Sequence, residues 1–387
     1  MKKVFVLALV AAGLAATASF AANSRSAAPA GTSVASTAAV KCGKTRTIGL
    51  LAPITGPAAS LGTLQVRWTQ YYISRYNKTH RRKFRLVKGD TQLPNVSEAT
   101  KAAQSVAGKA SVLGVVGPAG SNEVKATTSI LKNAKLGFVS GSATRTDLTT
   151  DGTRRGYFFR TVPPDKVQGA TVATFISKTL KLKRVYIIDD QEAYGIGLAD
   201  TVQQRLRAAG VNVKRDGVNP DKPSDFSSLI AKINRNVQLV YLPWQLPPKG
   251  QAFGRQMKQA GKGNIRLMGS DGLFDPAFSS VGSNVYDSFF PINPVNGTIA
   301  AYKKSHGGKG DFFGAPSYVA AQVVGGAIDR ACKDGKATRT EVRKQIRRSK
   351  IRNSLLGLTV RYNANGDIIG GRFGIYKSVR GQFQPVG

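Results

Sequence analysis

Two runs of small and hydroxyl-bearing residues, Gly117-Pro118-Ala119-Gly120-Ser121 and Ser140-Gly141-Ser142-Ala143-Thr144, each follow an apolar stretch that reads as a strand. A strand that ends in such a loop and feeds a helix turns backbone N–H groups and hydroxyls towards an anion such as a carboxylate. Taken singly, each loop is better explained by the ordinary turn and N-cap roles of Gly, Ser and Thr. Two of them on neighbouring strand ends point to an anion-binding crevice. Further along, Asp189-Asp190-Gln191-Glu192-Ala193-Tyr194-Gly195 and Ser270-Asp271-Gly272 gather carboxylates and an aromatic at other strand ends, in a chain poor in acid. An Asp before Gly is commonly a turn residue, and Tyr194 alone would pass for a half-buried surface aromatic. Facing hydroxyl and N–H donors across a cleft, a carboxylate pairs an ammonium group, and the two sets together would read both charges of an amino-acid zwitterion.

Other chemistry finds little support. There is no G-x-S-x-G elbow, P-loop, G-x-G-x-x-G or H-E-x-x-H. Two His and two Cys argue against multi-ligand zinc sites and iron–sulfur clusters. No catalytic residue, metal or cofactor is therefore expected, and His80 and His306, set in polar basic stretches, read as solvated surface residues.

The 387 residues carry a formal charge of +36, which invites a nucleic-acid reading because Lys and Arg contacts to phosphate dominate non-specific binding. The N-terminus argues against it. Met1-Lys2-Lys3 is a basic head, residues 4–16 are almost purely apolar, and Ser19-Phe20-Ala21-Ala22 offers a small-residue cleavage site, the pattern of a secretory signal peptide over residues 1–22. The apolar run is short for a membrane span, and no cysteine follows it directly. A soluble protein of the periplasm or cell exterior without a lipid anchor is expected. Its charge suits an anionic envelope or an acidic medium, and a basic proteome background explains it equally well. The runs 81–83, 343–344 and 347–348 lack the interleaved aromatics that single-strand binding prefers and read as solvated faces. Residues 23–44, rich in Ala, Ser and Thr, read as a disordered leader. Export places Cys42 and Cys332 in an oxidising compartment, where one disulfide is the economical reading and unpaired thiols the alternative.

The elements that would position the candidate residues alternate. Strands are predicted at 47–53, 84–90, 112–117 and 137–140, with helices at 62–77, 97–107 and from 121, a first α/β unit ending near Pro163-Pro164. The pattern restarts with strands at 184–190, 211–214, 238–243 and 265–269 and helices at 198–209, 225–234 and 251–260. Helices at 298–305, 318–333 and 339–348 and a hairpin of 358–361 with 372–376, turning through Asn365-Gly366, are too few for a core of their own and should complete the two units. Two parallel sheets covered on both faces are implied, with ligands beyond the carboxyl ends of the strands.

From Thr47 onward the sequence resembles the type I periplasmic binding proteins of ABC importers, in their leucine/isoleucine/valine-binding branch. The resemblance rests on the order and spacing of residues 48–62 (IGLLAPITGPAASLG), 116–121 (VGPAGS), 140–144 (SGSAT), 191–197 (QEAYGIG), 268–272 (MGSDG) and 357–366 (GLTVRYNANG). It implies an α/β fold of two doubly wound parallel-sheet lobes joined by three crossovers, lobe 1 holding 45–163 and 291–347 and lobe 2 holding 164–290 and 348–387. The crossovers would fall near Pro163-Pro164, Phe290-Pro291-Ile292 and residues 348–352. The resemblance also implies a monomer that closes on an amino acid and docks on a membrane permease. Ser121 and Thr144 match hydroxyl residues that hold the α-carboxylate. Ser142, with Ala143 beside it, matches the backbone carbonyl that meets the ammonium, Asp271 takes the place of that group's acidic partner, and Tyr194 matches a tyrosine of the second lobe. Leu61 stands where an aromatic is usual, and Trp244-Gln245-Leu246 replaces a tyrosine-bearing segment, so the side-chain pocket, including Gln245, looks altered. The family's topology also returns the helix ending at Cys332 to lobe 1, which implies a Cys42–Cys332 bond. An aliphatic amino acid is the leading ligand; a sensor of amides, urea or aromatic acids on the same fold is the alternative, and an exported α/β enzyme the third reading.

Overall fold

The computed structural model describes residues 39–219, 224–292, 297–306 and 313–386; the expected signal peptide and most of the expected leader lie outside them. In chain order the elements are β1 Val40–Lys41, β2 Thr45–Ala52, α1 Ala59–Thr79, β3 Lys83–Asp90, α2 Val96–Gly108, β4 Val112–Val116, α3 Ser121–Asn133, β5 Phe138–Ser140, α4 Asp147–Thr150 and β6 Phe158–Arg160. There follow α5 Asp165–Thr174, β7 Arg184–Asp189, α6 Ala193–Ala208, β8 Asn212–Gly217, α7 Ser227–Ala231, β9 Leu239–Leu242, α8 Pro247–Gln259, β10 Arg266–Gly269, α9 Pro276–Ser279 and β11 Val285–Phe289. The chain closes with α10 Thr298–Ser305, α11 Gly314–Ala331, β12 Lys336–Ala337, α12 Arg339–Arg347, β13 Gly374–Val379 and β14 Gln382–Pro385.

Two sheets result. The first, in the order β3-β2-β4-β5-β6, is parallel throughout. The second, β14-β13-β11-β10-β9-β7-β8, is parallel except at the β13 and β14 edge. Both faces of each sheet are covered, which is why the central strands are apolar without alternation. Ile48, Leu50 and Ala52 of β2 pack with Val66, Trp68 and Tyr72 of α1 and with the small-residue stripe of α11, Ala320, Val323, Val324, Ala327 and Ile328. Leu51 and Val115 face the other way, onto Ala103 and Val106 of α2 and Val124 and Leu131 of α3. The stripe lets α11 approach α1 closely: a Cβ at Gly325 would lie 2.5 Å from the Tyr72 hydroxyl oxygen. The second sheet is sandwiched likewise between two buried clusters.

Several expectations need correction. The leader does not extend to residue 44, because Val40–Lys41 pairs antiparallel with Lys336–Ala337 and Cys42 is joined to Cys332 by a disulfide. Strands β6 and β11 escaped the sequence reading: one has three residues, and the other, VYDSF, buries Asp287 and Ser288 where an apolar run would be sought. The terminal hairpin is β13 with β14, whereas residues 358–361 form only isolated bridges, Ile351 with Val360 and Tyr362 with Ile368 nearby. His80 and His306 are exposed but stack on Tyr76 and Tyr302, with ring centroids 3.8 and 4.0 Å apart.

The third crossover is also displaced. Leu355, Leu356, Val360 and Ile368 are buried in the same cluster as Ile48 and Val324, and Asp367 forms a buried ion pair with Arg160 of β6, 2.7 Å apart. Residues 348–368 therefore complete the first lobe instead of the second, and the chain crosses just after them. Pro163, Phe290, Pro291 and residues 370–372, one stretch from each crossover, line a common cavity.

Candidate functional site

The loops after β4 and β5 form one wall of the interlobe crevice. Gly117 makes the first turn possible: its φ is +94°, and a Cβ there would fall 2.1 Å from the Leu51 carbonyl oxygen, so no L side chain fits. The loop delivers Gly120 and Ser121 to the start of α3, where the Glu123 carboxylate accepts from the Gly120 N–H at 2.7 Å. Burial drives the Glu123 carboxyl up to about 7 against the hydrogen bonds that favour its charged form. On the neighbouring loop the Ser140 hydroxyl accepts from the N–H groups of Ser142 and Ala143 and donates to the Pro118 carbonyl, which ties the loops together.

A crevice of about 320 Å³, its open mouth included, is lined by Leu61, Ser121, Ser142, Tyr194, Gln245 and Asp271, with Leu93, Ala119, Gly120, Gly272 and Phe313. Six of the eight residues singled out as ligand contacts are thus together. Ala143 and Thr144 stand behind this lining, both buried, and the Thr144 hydroxyl has no hydrogen-bond partner. The Ser142 hydroxyl is already engaged, accepting from Gln65 Nε2 and donating to the Ala119 carbonyl, each at 2.7 Å. Ser121 Oγ accepts from the Arg145 N–H at 3.3 Å.

The far wall is acidic. Tyr194 sits in the first turn of α6 and Asp271 directly after β10. Asp271 Oδ1 accepts from the Tyr194 hydroxyl at 2.5 Å and from Gln168 Nε2 at 2.8 Å, and Gln168 also reaches the Ser288 hydroxyl at 3.1 Å. Close by are Asp165, neither of whose carboxylate oxygens has a hydrogen-bond partner, and Asp287, with one oxygen likewise unpartnered. Burial, reinforced by repulsion from Asp271, raises the carboxyls of Asp165 and Asp287. Burial raises that of Asp271 as well, against the hydrogen bonds from Tyr194 and Gln168. Among the described residues no Lys or Arg forms an ion pair with Asp271 or Asp165.

Other members of the acidic run have structural work. Asp189 pairs with Arg215 at 2.8 Å. Asp190 accepts from the N–H groups of Glu192 and Gln245, and burial lifts its carboxyl to about 8. Trp244 is turned into the second lobe's core, its indole N–H donating to the Ile188 carbonyl at 2.7 Å, which leaves Gln245 to face the crevice. Polar and apolar contacts bridge the lobes above it. Asn122 Nδ2 donates to Glu192 Oε2 at 2.9 Å, Arg145 donates to the Ala193 carbonyl, and Ala58 and Leu93 bury against Leu246. Gln65, Asp165, Gln168 and Phe313 were not found by sequence reasoning. Gln168 and Asp165 carry a faint signal, as polar residues in a first helical turn just after Pro163-Pro164; Gln65 and Phe313 carry none.

These buried acids predict a pH effect on the ligand-free protein. An acid whose carboxyl is raised in the folded state binds more protons there than when unfolded. Its contribution is complete below its ordinary value near 4 and is lost as pH rises through the folded value. Glu123, at about 7, and Asp190, at about 8, with Asp165, Asp271 and Asp287 shifted in the same direction, outweigh Asp90, Asp147 and Asp216, whose lowered carboxyls change their contribution only below about pH 4. Calorimetry should therefore show a lower Tm at pH 8.5 than at pH 5.5, with Glu123→Gln flattening the slope. A Tm that rises over this interval would contradict the assignment.

An interlobe crevice with hydroxyl and N–H donors on one wall and an unpaired carboxylate on the other, between two doubly wound lobes, defines a small-molecule receptor. Residues 45–373 match the family model of the periplasmic binding proteins, and the chain belongs to that family. It is 29% identical over 350 residues to the Leu/Ile/Val-binding protein BraC3 of Rhizobium johnstonii, covering 86% of this chain and 91% of the relative. It is 30% identical over 304 residues to the leucine-, isoleucine-, valine-, threonine- and alanine-binding protein of Pseudomonas aeruginosa, covering 73% of this chain and 78% of the relative. Its fold is similar to that of the branched-chain amino acid transporter substrate-binding protein LivJ of Streptococcus pneumoniae, solved with isoleucine. The TM-score is 0.78 at 20% identity, over 88% of this chain and 99% of that one.

Proposed function

We propose that this protein acts outside the cytoplasm as the solute receptor of an ABC importer, capturing an aliphatic amino acid, a branched-chain one foremost, as a monomer and handing it to the permease. The observation that carries the reading is the buried Asp271 carboxylate, held by Tyr194 and Gln168 with Asp165 close by, yet without a cation. In a chain with 57 Lys and Arg, a buried acid left unpaired at a crevice is a place kept for a positive group of the ligand. The ammonium would meet Asp271 and the Ser142 carbonyl, and the carboxylate would meet the hydroxyls of Ser121 and Thr144. Tyr194 orients Asp271. Leu61, Leu93 and Phe313 supply apolar wall for an aliphatic side chain, with Gln245 at its edge. The names of the relatives agree with this ligand class.

Closure follows from the same geometry, because the two walls belong to different lobes. We assign residues 45–163 and 291–369 to one moving body and 164–290 and 370–387 to the other, so a ligand that touches both favours the hinge-closed arrangement. A thermal-shift screen of leucine, isoleucine and valine against acetamide, urea and benzoate should raise Tm with the aliphatic amino acids alone, and small-angle scattering should record a smaller radius of gyration with saturating leucine. Stabilisation by urea, acetamide or benzoate without any by amino acids would replace this reading with a neutral-amide or aromatic-acid receptor. An unchanged scattering profile at proven saturation would count against closure.

A further inference from the structure

The end of the first lobe opposite the crevice carries a concentration of cations. Lys41 and Lys336 face each other across the β1–β12 pair. Cys42, next to Lys41, is bonded to Cys332, next to Lys333. Arg82 donates to the Cys332 carbonyl at 3.1 Å, with Arg81 beside it, and the Lys44 carbonyl accepts from the Lys83 N–H at 2.8 Å. Lys41, Lys44, Arg81, Arg82, Lys333 and Lys336 are all exposed. The neighbouring acids do little to neutralise them: Asp329 is taken by Arg46 and Tyr76, the exposed Glu341 folds back to cap Thr338, and Asp334 stands exposed beside Lys333.

Helix dipoles explain part of this, since α1 and α11 both end here and a helix C-terminus favours cations. They do not explain Lys41, Lys44 and Lys336, which lie on or beside strands. The disulfide, the β1–β12 pairing and the Arg82 contact hold the charges on one rigid surface formed by the starting ends of β2 and β3. The ligand loops leave from the other ends of the same sheet, so contact here would leave the cleft open to solvent.

We propose that this face is a docking surface for an anionic lipid bilayer, which it recognises by charge complementarity. Each Lys or Arg brought to an anionic headgroup layer adds to binding, and the attraction extends over about one Debye length. The occupant differs from the cleft's ligand, so the proposal stands or falls independently of the amino-acid reading.

Co-sedimentation of the full chain with vesicles of phosphatidylglycerol or of phosphatidylcholine, in dilute salt, tests it. The protein should bind the anionic vesicles and not the neutral ones, and should come off as salt is raised. The variant K41Q/R81Q/K333Q/K336Q should bind anionic vesicles about tenfold or more weakly. A control that removes as many exposed charges from the second lobe, K178Q/K183Q/R205Q/R235Q, should stay within about twofold of wild type. A circular-dichroism spectrum and Tm like those of wild type would show that both variants are folded; if the quadruple variant is not, R81Q/K333Q should show a smaller loss in the same direction. Equal loss in both quadruple variants, or no binding of wild type to phosphatidylglycerol, would overturn the proposal. Binding to soluble polyphosphate without binding to vesicles would reassign the face to an anionic polymer and overturn it too.

Discussion

Asp271→Asn should weaken leucine binding by roughly a hundred- to a few-thousand-fold. The substitution keeps the shape and the capacity to accept from Tyr194 and Gln168 but removes the charge facing the ammonium. Breaking a buried, hydrogen-bonded ion pair costs about 3 to 5 kcal/mol, which converts to that range of affinity. Asp275 provides the control. It lies four residues on and caps α9 by accepting from the Ala277 N–H at 2.8 Å, a role that Asn performs equally well, so Asp275→Asn should leave affinity within a few-fold. Titration calorimetry decides the matter. If Asp271→Asn binds leucine almost as wild type does, the ammonium has another partner, and Asp165, buried with both oxygens unpartnered, is the residue to change next. If Asp165→Asn also binds leucine normally, no carboxylate of this wall pairs the ammonium, and neutral acceptors such as the Ser142 carbonyl hold it. The raised carboxyl of Asp271 adds a direction: affinity should strengthen as pH rises from 5 to 8, because only the ionised form pairs the ammonium.

Loss of the Cys42–Cys332 bond should be the largest single effect on stability. The two residues are 290 apart in sequence, and in the chain-entropy model so long a loop is worth up to about 5 kcal/mol, although measured effects are often smaller. For a chain of this size, Cys332→Ser or full reduction should lower Tm by roughly 5 to 10 °C. Leucine affinity should change little, because the bond lies at the end of the first lobe away from the crevice. Thiol titration of the unfolded, unreduced protein should find no free thiols; two would contradict the bond, and an unchanged Tm on reduction would show that β1 and α11 are held without it.

What the sequence determined by itself is local or nearly so. Residues 48–52, 112–116 and 185–188 are apolar without alternation, and that pattern already demands strands buried on both faces. Helix α10 was placed at its observed bounds, and α11 from the spacing of its small apolar residues. The hydroxyl loops and Asp271 pointed to a site only in combination, because Gly, Ser, Thr and an Asp before Gly each have ordinary turn and cap roles. The tertiary structure decided which segments meet. Residues 348–368 are expected from the sequence to hold a crossover and a hairpin strand of the second lobe, yet Leu355, Leu356, Val360 and Ile368 fill the first lobe's core, and Asp367 finds Arg160, 207 residues away. The sequence marks Trp244-Gln245-Leu246 as an altered pocket segment but does not say which of the three faces the ligand; that was decided when the Trp244 indole N–H found the Ile188 carbonyl in the core. Asp165 and Gln168 belong to a helix whose own sequence does not reveal that its first turn lies against the ends of β10 and β11. Periodicity records how much of an element is buried and on which side; it does not record the partner. The partner sets the desolvation and charge that raise a carboxyl, and so the character of the acidic wall arises only when α5, α6, β10 and β11 come together in the second lobe.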